Sequence, residues 1–411
     1  MGDCHLLRTH ADHVVRVVLV ISSFLLETDL DSGAGHRALR VLMIGDFPAS
    51  LDRPRGGVEA VACNLAFGLV EAGVDLTVIR FGNAAEAGPT AAPFEIIDVP
   101  RRHPGSLGNW LISPREIRRI VDRIQPDVVH LEGTAELYRG PFPPSVLTIH
   151  GIPYRDAVHG TGFARRFLQP LLLRLSFVES IRKHHNVIVI NQMVRKELGE
   201  RNNIVFHDIP NPVGDGFFEI ERRPVAGRVL YVGVLNRRKN IAGLIESAAL
   251  ARRSCPGLEL RLAGPFLDDY ESTIRDAVES TGMQEATRFL GSLSRAEVID
   301  ELASCSCFAL ASLQETAPMA IAEAMAAGVP VVSSLVGGIG TMIDHGTTGL
   351  TSPVGDARAF AANLEAILTD DSRRDQIGDV ARKAAENVYR IKRIVERTCD
   401  VYRSVIEQSV S

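Results

Sequence analysis

Residues Leu313–Ser334 read LQETAPMAIAEAMAAGVPVVSS. Two glutamates, Glu315 and Glu323, flank Pro318, and Gly328 and Pro330 separate an alanine-rich run from a β-branched one. Proline suits the first turn of a helix, where its missing N–H costs nothing. Pro318–Ala327 is therefore read as a helix and VPVVSS as a buried strand. Glu315 then falls in the loop ahead of the helix, and Glu323 inside it. Free N–H groups around Thr316 to Ala320 make an anion site. Met319, Ala320, Ala322, Ala324, Met325 and Ala327 surround Glu323, the pattern of a buried helix. A buried carboxylate needs a partner. A sugar diol such as ribose offers it two hydrogen bonds, and Glu315 is placed to reach a second polyhydroxylated group. The plain alternative, a solvated helix start and face, fits the apolar neighbours of Glu323 poorly.

The strand CFALAS precedes this stretch. Before it, RVLYVGVL, LELRLAG and TRFLG are strands separated by helical patterns over Ile241–Arg253, Asp269–Thr281 and Arg295–Ala303, and Ala357–Leu368 is a further helix. An earlier series has the same character. RVLMIGDF, VDLTVIRF, EIIDVP, DVVHLEG, SVLTIHG, VIVINQ and NIVFHDIPNP are short, mostly apolar strands, as expected when both faces are covered. GVEAVACNLAFGLVEAG, ending at Gly73, is a helix with a glycine at its C-terminal cap. Strands alternating with helices make parallel, doubly wound sheets, whose ligands bind beyond the carboxyl ends of the strands. The expected class is α/β, with two Rossmann-like domains facing across a cleft. Residues 1–38 are read as a poorly ordered leader and 39–220 as the N-terminal, acceptor domain. Residues 221–388 are the C-terminal, donor-binding domain, and the helix 389–411 is expected to pack back on the first.

Length agrees with two domains. The 411 residues carry a net charge of −5, with no basic excess to suggest nucleic acid. The six cysteines are scattered, form no disulfide framework and have no zinc spacing; Cys305 and Cys307 read as buried thiols. No segment reaches the roughly 18 apolar residues of a membrane span. VVLVISSFLL, Val17–Leu26, has the length of a signal-peptide core, but Asp3 and Asp12 offset Arg8 and Arg16 ahead of it.

ETAPMAIAEAMAAGVPVVSS resembles the Glu-x7-Glu signature of the retaining nucleotide-sugar glycosyltransferases of family 4, which have the GT-B fold. GGIGTMIDHGTTGLTSPVGD is similar to that family's next block, and YVGVLNRRKNIAGLIESA, LAGP and FLGSLS follow its order and spacing. RGGVE, PDVVH and TIHG extend the likeness into the first half. The resemblance implies that Glu323 binds the donor ribose and that Glu315 contacts the donor sugar near its reacting ring. It implies that backbone at Thr316, Ala317 and Met319 caps phosphates and sugar hydroxyls, and that backbone around Leu293 meets the base. Lys239 aligns with the lysine that neutralises the diphosphate. The family's arginine after the strand glycine is replaced here by Val234, so Arg238, ahead of Arg237, is expected to supply that charge. Gly56 and Gly57 resemble the glycine loop near the donor phosphates. His150 would contact the donor sugar, whereas His130 reads equally well as a structural histidine. Asn211–Val213 resembles the segment that closes the first domain.

The implied reaction is transfer of a hexose from a UDP or GDP sugar, with retention and without metal or other cofactor. The acceptor is a saccharide or lipid-linked saccharide, in polysaccharide or glycolipid assembly. No carboxylate is placed as a nucleophile, which favours front-side displacement. Phe163–His185 mixes Leu and Phe with arginines, interrupted by Pro170. From it we expect peripheral contact, through Arg165, Arg166 and Arg174, with the inner face of the membrane of a cytoplasmic protein. The alternatives are a nucleotide-sugar epimerase or hydrolase of the same fold, and an inactive donor-binding scaffold subunit.

Overall fold

The computed structural model describes residues 37–51, 54, 56–81, 92–99, 109–133, 143–157, 169–199, 201–267 and 270–410. All but the last two residues of the leader, together with Arg165 and Arg166, lie outside these.

The first half runs β1 (Arg40–Gly45), α1 (Gly57–Glu71), β2 (Asp75–Phe81), β3 (Glu95–Val99), α2 (Asn109–Ile124), β4 (Val128–Glu132) and β5 (Ser145–Ile149). It continues with α3 (Pro153–Ala157), α4 (Gln169–Ile181), β6 (Asn186–Val189), α5 (Gln192–Leu198) and β7 (Val205–Asp208). Its strands form one parallel sheet in the order β3-β2-β1-β4-β5-β6-β7. Strand residues alternate between its two faces. Val41, Met43, Val128 and Val146 meet α1 on one face, and Leu42, Ile44, Val129 and Leu147 meet α2 on the other. Both faces are covered, which is why the strands read as continuous apolar runs.

The second half runs β8 (Arg228–Val232), α6 (Ile241–Arg252), β9 (Glu259–Ala263), α7 (Tyr270–Ser280), β10 (Thr287–Gly291), α8 (Arg295–Ser304) and β11 (Cys307–Leu310). There follow α9 (Met319–Ala326), β12 (Val331–Ser334), β13 (Gly349–Ser352), α10 (Ala357–Leu368), α11 (Asp371–Tyr389) and α12 (Ile391–Val410). Its parallel sheet has the order β10-β9-β8-β11-β12-β13. Two doubly wound sheets in tandem are the two Rossmann-like domains of a GT-B fold.

Strand order reverses between β1 and β4 in the first sheet and between β8 and β11 in the second. Such switch points open a crevice beyond the strand ends. The chain crosses between halves twice at one place: Val213 N–H donates to the Tyr389 carbonyl at 2.9 Å and bridges Arg390. Beyond that crossing, Ile391, Ile394, Val395, Cys399 and Tyr402 of α12 enter the core made by Val41, Leu65 and Leu69 of the first half. The halves also exchange side chains, since Val61 of α1 joins the second core and Ala317 packs against the first.

Several sequence expectations need correction. Strand β13 lies inside the glycine-rich block after VPVVSS, where four residues flanked by turns carried too little pattern to show a strand. Helix α11 was not anticipated; its many charges mask the buried Ile377, Ala381 and Ala385. Pro318 is the N-cap of α9, one position before the helix. Pro170 is the second residue of α4, and residues 163–168 ahead of it lie outside the described residues. Among the described residues no helix is long and apolar enough to cross a membrane.

Candidate active site

The loops at the two switch points carry most of the residues singled out above. After β8 the chain makes a single 3-10 turn, Arg237–Lys239, capped by Asn236, whose Oδ1 accepts from Lys239 N–H at 3.0 Å. After β11 comes the loop 311–318. Hydrogen bonds knit the two together: Leu313 N–H donates to the Arg238 carbonyl at 2.8 Å, and the Asn240 side-chain Nδ2 to that of Ala311 at 3.2 Å. The turn therefore holds its cations against Glu315. Lys239 Nζ is 2.5 Å from Glu315 Oε1, Ser312 Oγ donates to the same oxygen at 2.7 Å, and Arg238 Nη1 is 3.4 Å from Oε2. The Glu315 residue is only 4% exposed. Burial opposes its charge, but Lys239, Arg238 and the Ser312 bond outweigh that and hold the carboxyl below its ordinary range. Glu315 is thus a buried, paired carboxylate.

Arg237 turns away, with its guanidinium 5.2 Å from the Tyr270 ring centroid. Arg238 is the arginine that faces Glu315. Its Nη1 also donates to the Gln314 carbonyl at 2.8 Å. At Val234, in place of the family's arginine, the carbonyl accepts from the buried Tyr231 Oη at 3.0 Å.

Gly337 and Gly338 clamp the Glu315 loop from the far side. A methyl group on Gly337 would sit 1.8 Å from the Glu315 carbonyl oxygen, and one on Gly338 1.8 Å from that of Thr316. Gly337 also has φ +55°, a conformation other residues rarely adopt. Gly338 N–H donates to the Glu315 carbonyl at 3.1 Å. The double glycine is thus required for the backbone to pass this close.

Glu323 is the fifth residue of α9. Its helix neighbours are buried, while Glu323 keeps partial access to solvent. Among the described residues its carboxyl has no hydrogen-bonding or ion-pair partner. Burial raises it to about 7, and only Arg295 pulls the other way.

The first domain meets this surface through α1, β5 and α5. A methyl on Gly57 would lie 3.3 Å from Met319 Cγ, while Gly56 opens on space. Asn191, after β6, donates from Nδ2 to the Thr316 carbonyl at 2.6 Å. Arg295, at the start of α8, bonds Asn64 Oδ1 of α1 and lies 5.5 Å from the Phe217 ring centroid. Leu293 lies partly exposed in the loop before α8. Lys239, Arg238, Glu315 and Thr316 are brought together, with Ala317, Met319, Gly57 and His150 at their border. Leu293, Gly56 and Glu323 have no direct bond to the cluster.

His150 follows β5 and pairs through Nε2 with Oε2 of Glu132, at the end of β4. Glu132 is enclosed, and its Oε1 is 3.2 Å from His130 Nε2. Burial disfavours its charge, yet the two histidines and a Thr148 bond bring the carboxyl below its ordinary range. His130 is structural: fully buried, it meets Tyr402 Oη of α12 at 2.5 Å and Thr148 Oγ1 at 2.7 Å. Burial pushes its imidazole below the usual range.

Sequence reasoning missed Glu132, Asn191 and Arg295. A charged or amide residue closing an apolar strand, as in DVVHLEG and VIVINQ, was the available signal for the first two. Arg295 offered none, because its partners Asn64 and Phe217 are distant in sequence.

Comparison with known proteins follows this geometry. Residues 218–384 match the family Glycosyl transferases group 1, and residues 55–215 match Glycosyltransferase Family 4. The glycogen synthase of Mycobacterium tuberculosis is 30% identical over 183 residues, which is 44% of each chain, so this match spans under half of that relative. A D-inositol 3-phosphate glycosyltransferase of Pseudarthrobacter chlorophenolicus is 24% identical over 400 residues, covering 85% of this chain and 91% of that one. Among solved structures, Anabaena Alr3699/HepE in complex with UDP and glucose superimposes with a TM-score of 0.68 at 18% identity, covering 89% of this chain and 100% of that one. The sucrose-phosphate synthase of Thermosynechococcus elongatus gives 0.71 at 18% identity, covering 90% and 100%. The two family matches divide at the junction between the two sheets, the N-terminal one beginning after β1 and the C-terminal one taking in the β8–β11 switch point, and the chain belongs to the family 4 glycosyltransferases of GT-B fold.

Proposed function

We propose that the chain is a retaining enzyme that transfers a hexose from a nucleoside-diphosphate sugar, UDP or GDP, to a saccharide or lipid-linked saccharide acceptor. Polysaccharide or glycolipid assembly is the setting. The observation that carries this reading is the switch-point cluster. Lys239 and Arg238 converge at the switch point on the carboxylate of Glu315, and Glu323 lies on the helix that follows with no hydrogen-bond or ion-pair partner among the described residues. A diphosphate needs the first feature and a ribose diol the second. The Anabaena relative, solved with UDP and with UDP-glucose, supports a uridine donor.

In this reading Glu323 accepts hydrogen bonds from the ribose. Lys239 and Arg238 stabilise the charge that builds on the diphosphate as the glycosidic bond breaks, without metal. Backbone at Thr316, Ala317 and Met319 caps the phosphates and sugar hydroxyls, and Glu315 orients Lys239 and the donor sugar. Gly56 and Gly57 border the phosphates, the backbone at Leu293 borders the base, and His150 borders the sugar from the opposite domain. The acceptor hydroxyl attacks from the face the diphosphate leaves, and a phosphate oxygen takes its proton. Donor consumption measured with and without candidate saccharide acceptors tests this reading. It requires acceptor-dependent transfer. Turnover without acceptor would favour an epimerase or hydrolase, and binding without turnover a scaffold subunit.

Helix α4 supports contact with the inner face of a membrane. Leu171, Leu172 and Leu175 are 55%, 65% and 62% exposed, with Arg174 beside them. Apolar side chains beside a cation suit an anionic lipid surface. Flotation with anionic liposomes should fall when the three leucines become serine and Arg174 becomes glutamate. Unchanged flotation would remove this part of the proposal.

A further inference from the structure

A buried carboxylate lies directly behind His150, and neither its charge nor its place is explained by the strand that carries it. Glu132 closes β4 with its side chain wholly enclosed. In the β1–β4 register it stands beside Gly45, and a methyl group on Gly45 would sit 2.8 Å from Glu132 Cβ. The neighbouring strand thus leaves room for this side chain. An enclosed carboxylate is costly unless it is paired. Glu132 is hydrogen-bonded through Oε2 to His150 Nε2, while Oε1 lies 3.2 Å from His130 Nε2 and has no hydrogen-bond partner among the described residues.

The two histidines differ in what their other nitrogen does. His130 Nδ1 is satisfied by Tyr402 Oη at 2.5 Å. His150 Nδ1 is buried and has no hydrogen-bond partner among the described residues. Most buried side-chain nitrogens are hydrogen-bonded, as both of His130 are. His150 lies at the end of β5, where the following Gly151 would carry a methyl 4.0 Å from Thr316 Oγ1. The backbone next to His150 therefore meets the loop that carries Glu315.

We propose that Glu132 is a positioning residue for His150: it holds the ring through Nε2–H, so that Nδ1 is the atom offered to a substrate hydroxyl. The partner of one imidazole nitrogen sets which tautomer the other presents. An ionised carboxylate only accepts, so Nε2 must carry the proton. Neutral His150 then presents a lone pair at Nδ1, which accepts a hydrogen bond from a sugar hydroxyl. Thr148 and His130 support Glu132 from behind, and Tyr402 supports His130, which ties the terminal helix to the site. The substrate half of this inference rests on the donor reading above; the tautomer half does not.

The first test needs no substrate. In protein labelled with 15N-histidine, long-range 1H–15N correlations at pH 8.5 report each ring's tautomer, and His150→Asn identifies the His150 signals. The expected result is the Nε2–H tautomer for His150 in the unaltered protein. An Nδ1–H ring, or one averaging between tautomers, overturns the proposal. Glu132→Leu should release the ring to average, whereas Glu132→Gln, whose amide oxygen still accepts, should keep the tautomer. Should Glu132→Leu fail to fold, the unaltered protein and Glu132→Gln still decide. The second test compares calorimetric affinities for UDP-glucose and UDP, and for the GDP and ADP pairs. Where a pair binds, Glu132→Leu and His150→Asn should lower the preference for the glucose-bearing ligand by about fivefold, the loss of one hydrogen bond, with Glu132→Gln restoring it. A preference unchanged in both overturns the substrate half. If the unaltered protein binds none of these ligands, the donor reading falls, while the tautomer result still decides the positioning of His150.

Discussion

Donor affinity should rise with pH through neutrality, because Glu323 must ionise to accept hydrogen bonds from both hydroxyls of a diol. Burial brings this carboxyl to about 7 from an ordinary 4.5. If only the ionised form binds, the apparent dissociation constant scales as 1 + 10^(pKa − pH). Between pH 8 and pH 6 that factor changes from about 1.1 to about 11, an approximately tenfold loss of affinity. The ligand should be UDP-glucose rather than UDP, since a terminal phosphate has a pKa of about 6 and would add its own slope. Isothermal titration at pH 6, 7 and 8 reads the change, and Glu323→Gln, neutral throughout, should flatten it. Stability should move the opposite way. A carboxyl raised in the fold contributes stability that is complete below pH 4.5 and is lost as pH rises through about 7. The loss is about 3 kcal/mol at ~1.4 kcal/mol per pH unit. Glu323→Gln should therefore be the more stable protein at pH 8. An affinity that stays constant from pH 6 to 8, or the same slope in Glu323→Gln, would refute the reasoning.

Breaking the buried Lys239–Glu315 pair should be costly: Lys239→Met or Glu315→Gln each should lose about 3–5 kcal/mol in urea unfolding, and the double variant less than their sum. Since Glu315 is held below its ordinary range, the deficit of Glu315→Gln should persist at neutral pH and shrink only as acid protonates the folded carboxyl. Gly338→Ala should displace the Glu315–Thr316 backbone, so that UDP no longer raises the melting temperature while the circular dichroism of the folded protein persists. Tyr402→Phe leaves His130 Nδ1 buried without its partner and should cost about 1–3 kcal/mol. It should leave UDP affinity unchanged.

Repetition made the architecture legible. Apolar strands alternating with amphipathic helices, twice over, admit few folds other than two doubly wound sheets, and the strands after RVLMIGDF and RVLYVGVL fell into place on that basis. What escaped were elements whose pattern is short or diluted: β13, four residues between turns, and α11, whose buried face mixes Ile377 and Tyr389 with Ala, Gly and Arg. At the site, Glu323 was legible because its helix is otherwise apolar, and Lys239 only through the resemblance of its segment to the family's motif. The environment of Glu315 was not. Its loop position suggested solvent, and only the three-dimensional approach of the 3-10 turn buries it against Lys239 and Ser312. Glu132 illustrates the same limit. A charge at a strand end reads as solvated, and nothing local says that Gly45 on the neighbouring strand leaves room for it or that two histidines enclose it.

The most direct test of the account is thermal unfolding of the purified protein with UDP, GDP, ADP and their glucose conjugates, repeated for Glu323→Ala and Lys239→Ala. Ligand at about 100 times its dissociation constant adds about 2.7 kcal/mol of stability. The account predicts that one base stabilises the unaltered protein and that both variants, though folded, lose the shift. A folded protein that none of these ligands stabilises, or an undiminished shift in both variants, would contradict the assignment of the switch-point cluster as the donor site.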